Sequence, residues 1–215
     1  MSLNKTSALG KDADSDASER ANGQSHCGSC TTAPFTLARS CGVYAGALEA
    51  SILFLKTYPH ICARLRRILR HTVLRHREAL DAEVVIPVPL HQLRQRTRGF
   101  NQAKIIARSV SEELGLLLED RTLVRTRHTE RHRAGMDAID RRRSVEGAFD
   151  VVRARRIEGA AVLLVDDLYT TGSTMMSAAG ALLRAGASRA SVLTVARVVP
   201  GALPNRPSAG GTEKC

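Results

Sequence analysis

The sequence predicts one α/β domain: an open, mostly parallel, twisted sheet with helices on both faces. The first observation is two short, continuous apolar runs, within Glu83 to Pro89 and at Ala160 to Val165, with a last strand expected at Ala190 to Val198. A strand of that kind is buried on both faces, as in a parallel sheet covered by helices. The second is that both runs lead into a polar stretch and then a helical repeat, the strand–loop–helix order of such sheets. The third is length: 215 residues suit one domain with appendages and are too few for two full enzymatic domains.

Residues 1–34 are rich in Ser, Ala, Asp and Gly and poor in large apolar side chains, and 200–215 are rich in Pro and Gly. Both are expected to be disordered tails around a body at 35–199. Within the body, Leu48, Ile52 and Leu55 share one helix face, and Ile61, Leu65, Ile68, Leu69 and Thr72 continue the period after Pro59. After the strand ending at Pro89, the basic stretch HQLRQRTRGF reads as a loop. Asn101 then caps a helix that carries Ala103, Ile106, Ala107, Val110 and Leu114 and stops at Gly115. A weak strand is expected near Thr122 to Arg125, then a polar mobile loop over 126–143, then a strand at Phe149 to Val152. The run ending at Val165 is expected to close before Asp166, with a helix from the following turn to Gly186 and a final strand.

Lys+Arg total 32 against 21 Asp+Glu, a net charge of +11, so an anionic partner is expected, either a nucleic acid or a phosphorylated metabolite. Of the basic residues 27 are Arg, whose planar fork suits bidentate phosphate contacts. No apolar run approaches the ~20 residues needed to span a bilayer, and the first twenty residues lack a signal peptide's apolar stretch. A cytoplasmic protein without membrane insertion is expected. The five cysteines are irregularly spaced, which argues against a secreted disulfide framework.

The segment VLLVDDLYTTGST, residues 162–174, carries the strongest chemical signal. Ligands of open α/β sheets bind beyond the carboxyl ends of the strands, where Asp166, Asp167 and the turn Thr170, Thr171, Gly172, Ser173, Thr174 fall. Hydroxyls and free N–H groups at a helix N-terminus make a phosphate site. The two acids would repel that phosphate unless they face hydroxyls or a magnesium shell, and a ribose phosphate offers both ends. The Walker lysine is missing. The alternative is structural: two turn-forming acids and a glycine that tightens a connection.

This segment resembles the 5-phosphoribosyl-1-pyrophosphate (PRPP) motif of type I phosphoribosyltransferases. A second stretch, VIPVPLHQLRQRTRGFNQA at 85–103, resembles the ComF/GntX family, a branch of proteins with that fold. Tyr44, Gly46, Lys56, Arg141 and Gly147-Ala148-Phe149 also match the family's pattern, and the likeness covers about 42–198. The resemblance implies a type I phosphoribosyltransferase-like fold binding PRPP or a related phosphoribosyl metabolite with Mg2+. Asp166, Asp167 and Arg98 would then act at the reacting centre. Thr170 to Thr174, Gly99, Asn101, Gln102, Lys56 and Arg141 would bind the substrate. Arg94 and Arg96 read equally as pyrophosphate contacts or as solvated charges.

The chain departs from the family in keeping only Cys27 and Cys30 of its usual four-cysteine zinc module; His26 and Cys41 complete the set poorly, so zinc is not expected. It also has Ser144 in place of Asn, and His132-Arg133 where a Gln is usual. Two functions are implied: phosphoribosyl transfer to an unknown acceptor, or a non-enzymatic accessory role in DNA uptake and competence. Competence-machinery proteins, a second copy of the chain and nonspecific single-stranded DNA are the expected macromolecular partners. The DNA reading is tempered by 3% aromatics, since single-strand grooves stack bases on rings.

Overall fold

A computed structural model describes residues 33–126 and 147–199. Arg141, Cys27, Cys30, His26, His132, Arg133, Ser144 and most of the 126–143 segment lie outside the described residues. In chain order the elements are β1 (Leu37–Ser40), α1 (Gly46–Thr57), α2 (Ala63–Arg75), α3 (Arg77–Leu80), β2 (Val84–Pro87), α4 (Gln92–Arg98), α5 (Gln102–Leu114), β3 (Leu117–Leu118), β4 (Leu123–Arg125) and β5 (Phe149–Val151). A 3-10 turn at Ala154–Arg156 precedes β6 (Ala161–Tyr169), α6 (Ser173–Arg184) and β7 (Arg189–Arg197).

The main sheet has the order β1-β7-β6-β2-β3 and is parallel throughout. From the centre, β2 leads outward through α5 to β3, whereas β6 leads the other way through α6 to β7. The switch point therefore lies between β2 and β6, where a crevice opens at the carboxyl ends. Val85, Leu163, Val165, Leu193 and Val195 join one core with Ile52 and Leu55 of α1, Leu65 and Leu69 of α2, and Ile106 and Val110 of α5. The alternate strand positions Ile86, Val162, Leu164 and Val192 are buried too, as a sheet covered on both faces requires. Each fully buried Leu or Ile stabilises the fold by roughly 1.5–3 kcal/mol.

The two central strands are unequal. β2 pairs with β6 only from Val84↔Val162 to Pro87↔Val165, and β6 runs on beside β7 through Tyr169↔Arg197. After one further bond, Val88 N–H to the Val165 carbonyl at 2.9 Å, the β2 chain leaves the sheet. The Val88 carbonyl then accepts from Asn101 Nδ2 at 2.9 Å, while Asn101 Oδ1 accepts from the Ala103 N–H at 3.0 Å and caps α5. One side chain satisfies both a peeled strand and a helix start. Asn101→Ala is expected to cost about 2–3 kcal/mol, the sum of a lost cap and an orphaned carbonyl, read as a lower urea midpoint at unchanged slope.

Four expectations need correction. The stretch read as a loop after Pro89 is mostly helical, as α4: it lies between Pro89 and Gly99, with no Gly or Pro inside, and Gln, Leu and Arg are good helix formers. The strand expected to end at Val165 continues to Tyr169, so both aspartates sit on it. β1 and β3 were not anticipated. The strands at 123–125 and 149–151 exist, but they pair antiparallel in a separate two-stranded sheet.

Candidate functional site

The crevice holds a cavity of about 780 Å³. Asp166 and Asp167 form its floor at the unpaired edge of β6; Thr174 comes from α6, Lys56 and Thr57 from the end of α1, and Asn101 and Gln102 from the start of α5. Arg94 and Arg98 of α4 and Arg125 of β4 supply its cationic side. Asp166 interacts electrostatically with Arg125 and with the adjacent Asp167, and Asp167 with Tyr44 just ahead of α1.

Asp166 is partly buried, and this loss of water is the largest cause of a pKa raised well above the usual carboxylate range. The adjacent Asp167 charge pushes the same way, whereas the Asp167 N–H, donating to Asp166 Oδ1 at 2.9 Å, and the Arg125 guanidinium oppose it. Tyr44 is also raised, by burial first and then by Glu49 and Asp167. Burial lowers the pKa of Arg125, as does nearby Arg94, while Asp166 raises it.

The turn after β6 leads into the N-terminus of α6, whose first N–H groups have no partner within the helix. Gly172 has φ +77° and stands at the N-cap of α6, a left-handed position where glycine avoids a Cβ clash. A Cβ there would also run into the Tyr169 ring. Thr171 Oγ1 and Ser173 Oγ share a hydrogen bond of 2.7 Å, which fixes the turn. Gly99, with φ +80°, ends α4 and redirects the chain into α5.

Of the residues expected at the site, Lys56, Arg98, Asn101, Gln102, Asp166, Asp167 and Thr174 line one cavity. Thr170, Thr171, Gly172 and Ser173 form the turn that leads to Thr174, and Gly99 shapes the wall without lining it. Arg94 lines the cavity, whereas Arg96 is exposed and does not. Arg125 was missed: its place depends on pairing with β5 and on Phe149, 24 positions on, and no local signal encodes either. Among the described residues no cluster of three or more His, Cys, Asp or Glu could hold a metal, and no helix is long and apolar enough to cross a membrane.

The sheet order and the turn at its switch point define the class, a parallel α/β protein whose crevice opens at the carboxyl ends of its central strands. No family model matches the chain. It is 33% identical over 180 residues to the DNA utilization protein YhgH of Escherichia coli O157:H7, covering 80% of this chain and 78% of that protein. It is 36% identical over 116 residues to competence protein F of Haemophilus influenzae, covering 54% of this chain and spanning only half the relative's length. Among solved structures it is similar to glutamine phosphoribosylpyrophosphate amidotransferase from B. subtilis, at 24% identity and a TM-score of 0.41, over 60% of this chain and 26% of that one. The chain belongs to the family of the DNA utilization protein YhgH.

Proposed function

We propose that the cavity binds PRPP or a closely related phosphoribosyl compound together with Mg2+. The observation that carries this reading is the carboxylate pair of β6 facing the start of α6 in a cavity walled by arginines. Such a site takes a ligand with a phosphate at one end, hydroxyls in the middle and further negative charge at the other. The turn from Thr170 to Thr174 holds the 5-phosphate with N–H and hydroxyl donors. Asp166 and Asp167 accept from ribose hydroxyls or from waters of the metal, and Arg94 and Arg98 face the pyrophosphate.

The residues present fit Mg2+ delivered with the substrate, since that ion keeps several waters and needs only one or two carboxylates besides phosphate oxygens. When bound, it would supply charge neutralisation on the phosphate oxygens. In this reading the protein orients the anomeric carbon, and transfer breaks its bond to pyrophosphate and forms one to an acceptor nucleophile.

The test is a calorimetric titration of PRPP with Mg2+ into the wild type and Asp167→Ala. Saturable binding that the substitution weakens at least tenfold is expected, and wild-type heats no different from buffer would reject the reading. Pyrophosphate release across a panel of bases and amines then separates transfer from binding alone. The second reading, binding without turnover in an accessory role in DNA uptake, is favoured by the names of the two relatives. It predicts PRPP binding with no pyrophosphate release and specific capture of competence proteins. Any single-stranded DNA contact would weaken steeply as salt rises.

A further inference from the structure

We propose that the solvent face of α1 is the contact between two copies of this chain, packed antiparallel about a two-fold axis. The contact does not depend on what the cavity binds.

Helix α1 is apolar on two sides. Leu48, Ile52 and Leu55 turn toward the core, while Ala47, Ala50, Leu53 and Phe54, with Tyr58 at the C-cap, follow at helical spacing on the opposite side and are exposed. Leu53 is 50%, Phe54 44% and Tyr58 55% exposed, and the two rings lie 4.8 Å apart as one patch. α2 and α5 join the same core, and there Arg64, Arg67, Arg108 and Glu112 meet the solvent. α1 carries charge only at Glu49 and Lys56, both partly buried. A helix apolar all round is normally covered all round, and a patch of this kind marks a contact surface.

The occupant follows from how the face is graded. Its first half is small, with Ala47 and Ala50, and its second half is large, with Leu53, Phe54 and Tyr58. A two-fold axis through the middle of the helix lays one copy antiparallel on the other, so Phe54 and Tyr58 rest on the partner's Ala50 and the partner's Ala47. The same symmetry sets equal flanks of the two helices side by side. Glu49 and Lys56 lie two turns apart on one flank, and neither forms an ion pair among the described residues. Across the axis Glu49 meets the partner's Lys56, and the pair occurs twice. The arginines that follow α1 at the start of α2 are kept apart, at opposite ends of a twelve-residue helix about 18 Å long, well beyond a Debye length of about 8 Å. One helix face buries less than a standard interface, so the dimer is weak, with a dissociation constant of about 10–100 µM.

The experiment is sedimentation equilibrium of the full chain at concentrations on both sides of that range, with a thermal melt of each variant. Wild type is expected to dimerise reversibly. Phe54→Glu and Ala50→Arg, both at exposed positions, should be monomeric without a large drop in melting temperature. Glu49→Lys and Lys56→Glu should each weaken the dimer about tenfold, since two attractive pairs become repulsive, and the double exchange should recover it. A face that merely adheres to apolar surfaces would show no such recovery. Wild type that stays monomeric throughout, dimers that survive both Phe54→Glu and Ala50→Arg, or a double exchange no better than the single ones overturns the proposal. Vesicles rich in phosphatidylglycerol and oligothymidylate are titrated in parallel. Monomeric wild type that binds either one, with the binding lost in Phe54→Glu, gives the face to that occupant and overturns the second copy.

Discussion

Asp166→Asn is expected to melt about 2–4 °C higher than wild type at pH 7.5 while losing at least a hundredfold in affinity for PRPP with Mg2+. Burial and the neighbouring Asp167 charge raise the folded-state pKa of Asp166, so folding favours its neutral form. A carboxyl of that kind stabilises fully below its ordinary unfolded value, and the contribution is lost as pH rises through the raised folded value. Asn cannot ionise, so the variant avoids that loss; single stabilising substitutions commonly gain about 0.5–2 kcal/mol, a few degrees for a chain of this size. The advantage should shrink on acidification and vanish below about pH 4, where Asp is protonated in both states. Ligand binding runs the opposite way. In the proposed reading the ionised carboxylate is the acceptor, so wild-type affinity should fall as pH drops through a value above the usual carboxylate range. Melting curves and titrations across pH check both arms, and an Asn variant that melts lower at pH 7.5 would refute the electrostatic account.

Gly172→Ala is expected to lower the melting temperature by roughly 5–10 °C and to remove measurable phosphoribosyl binding. A Cβ at φ +77° costs about 1–2 kcal/mol by itself. It would also meet the Tyr169 side chain, with Cζ at 2.8 Å, so the end of β6 must shift or the turn must open. Either movement displaces the first N–H groups of α6. Placing Gly172→Ala in a Tyr169→Leu background should recover part of the stability, because the collision is gone, but not the part set by φ. Full additivity of the two substitutions would show that the ring contact does not matter.

The sheet was legible where its strands are apolar runs, as at Val84 to Pro87 and Ala161 to Val165, because burial on both faces leaves little room for polar residues. The continuation through Asp166, Asp167, Leu168 and Tyr169 was not legible. Acidic residues are poor strand formers, and this stretch is held extended by its partner β7, with Asp166 opposite Thr194 and Tyr169 opposite Arg197. β1 was hidden for a similar reason: Leu-Ala-Arg-Ser has no strand signature, and its register comes from Ser191 to Thr194, over 150 residues away. The helix α4 has the charge of a solvated loop, and only the backbone preference of its Gln, Leu and Arg residues marks it as helical. At the site, the carboxylates, the glycine turn and Asn101 each carry a local pattern tied to a local geometry. Arg125 carries none, since an arginine closing a three-residue strand looks like any other surface charge until Phe149 is placed beneath it.

The mismatch in length between β2 and β6 bears on how such a site survives sequence drift. The hollow is a step in the backbone: one strand leaves after Val88, its neighbour continues to Tyr169, and Asn101 secures the edge of the step. Substitutions that repaint the walls change which ligand is welcome without erasing the hollow itself. Relatives about one-third identical can therefore keep the receptacle while diverging in what they place in it, and chemistry can be gained or abandoned without refolding the chain.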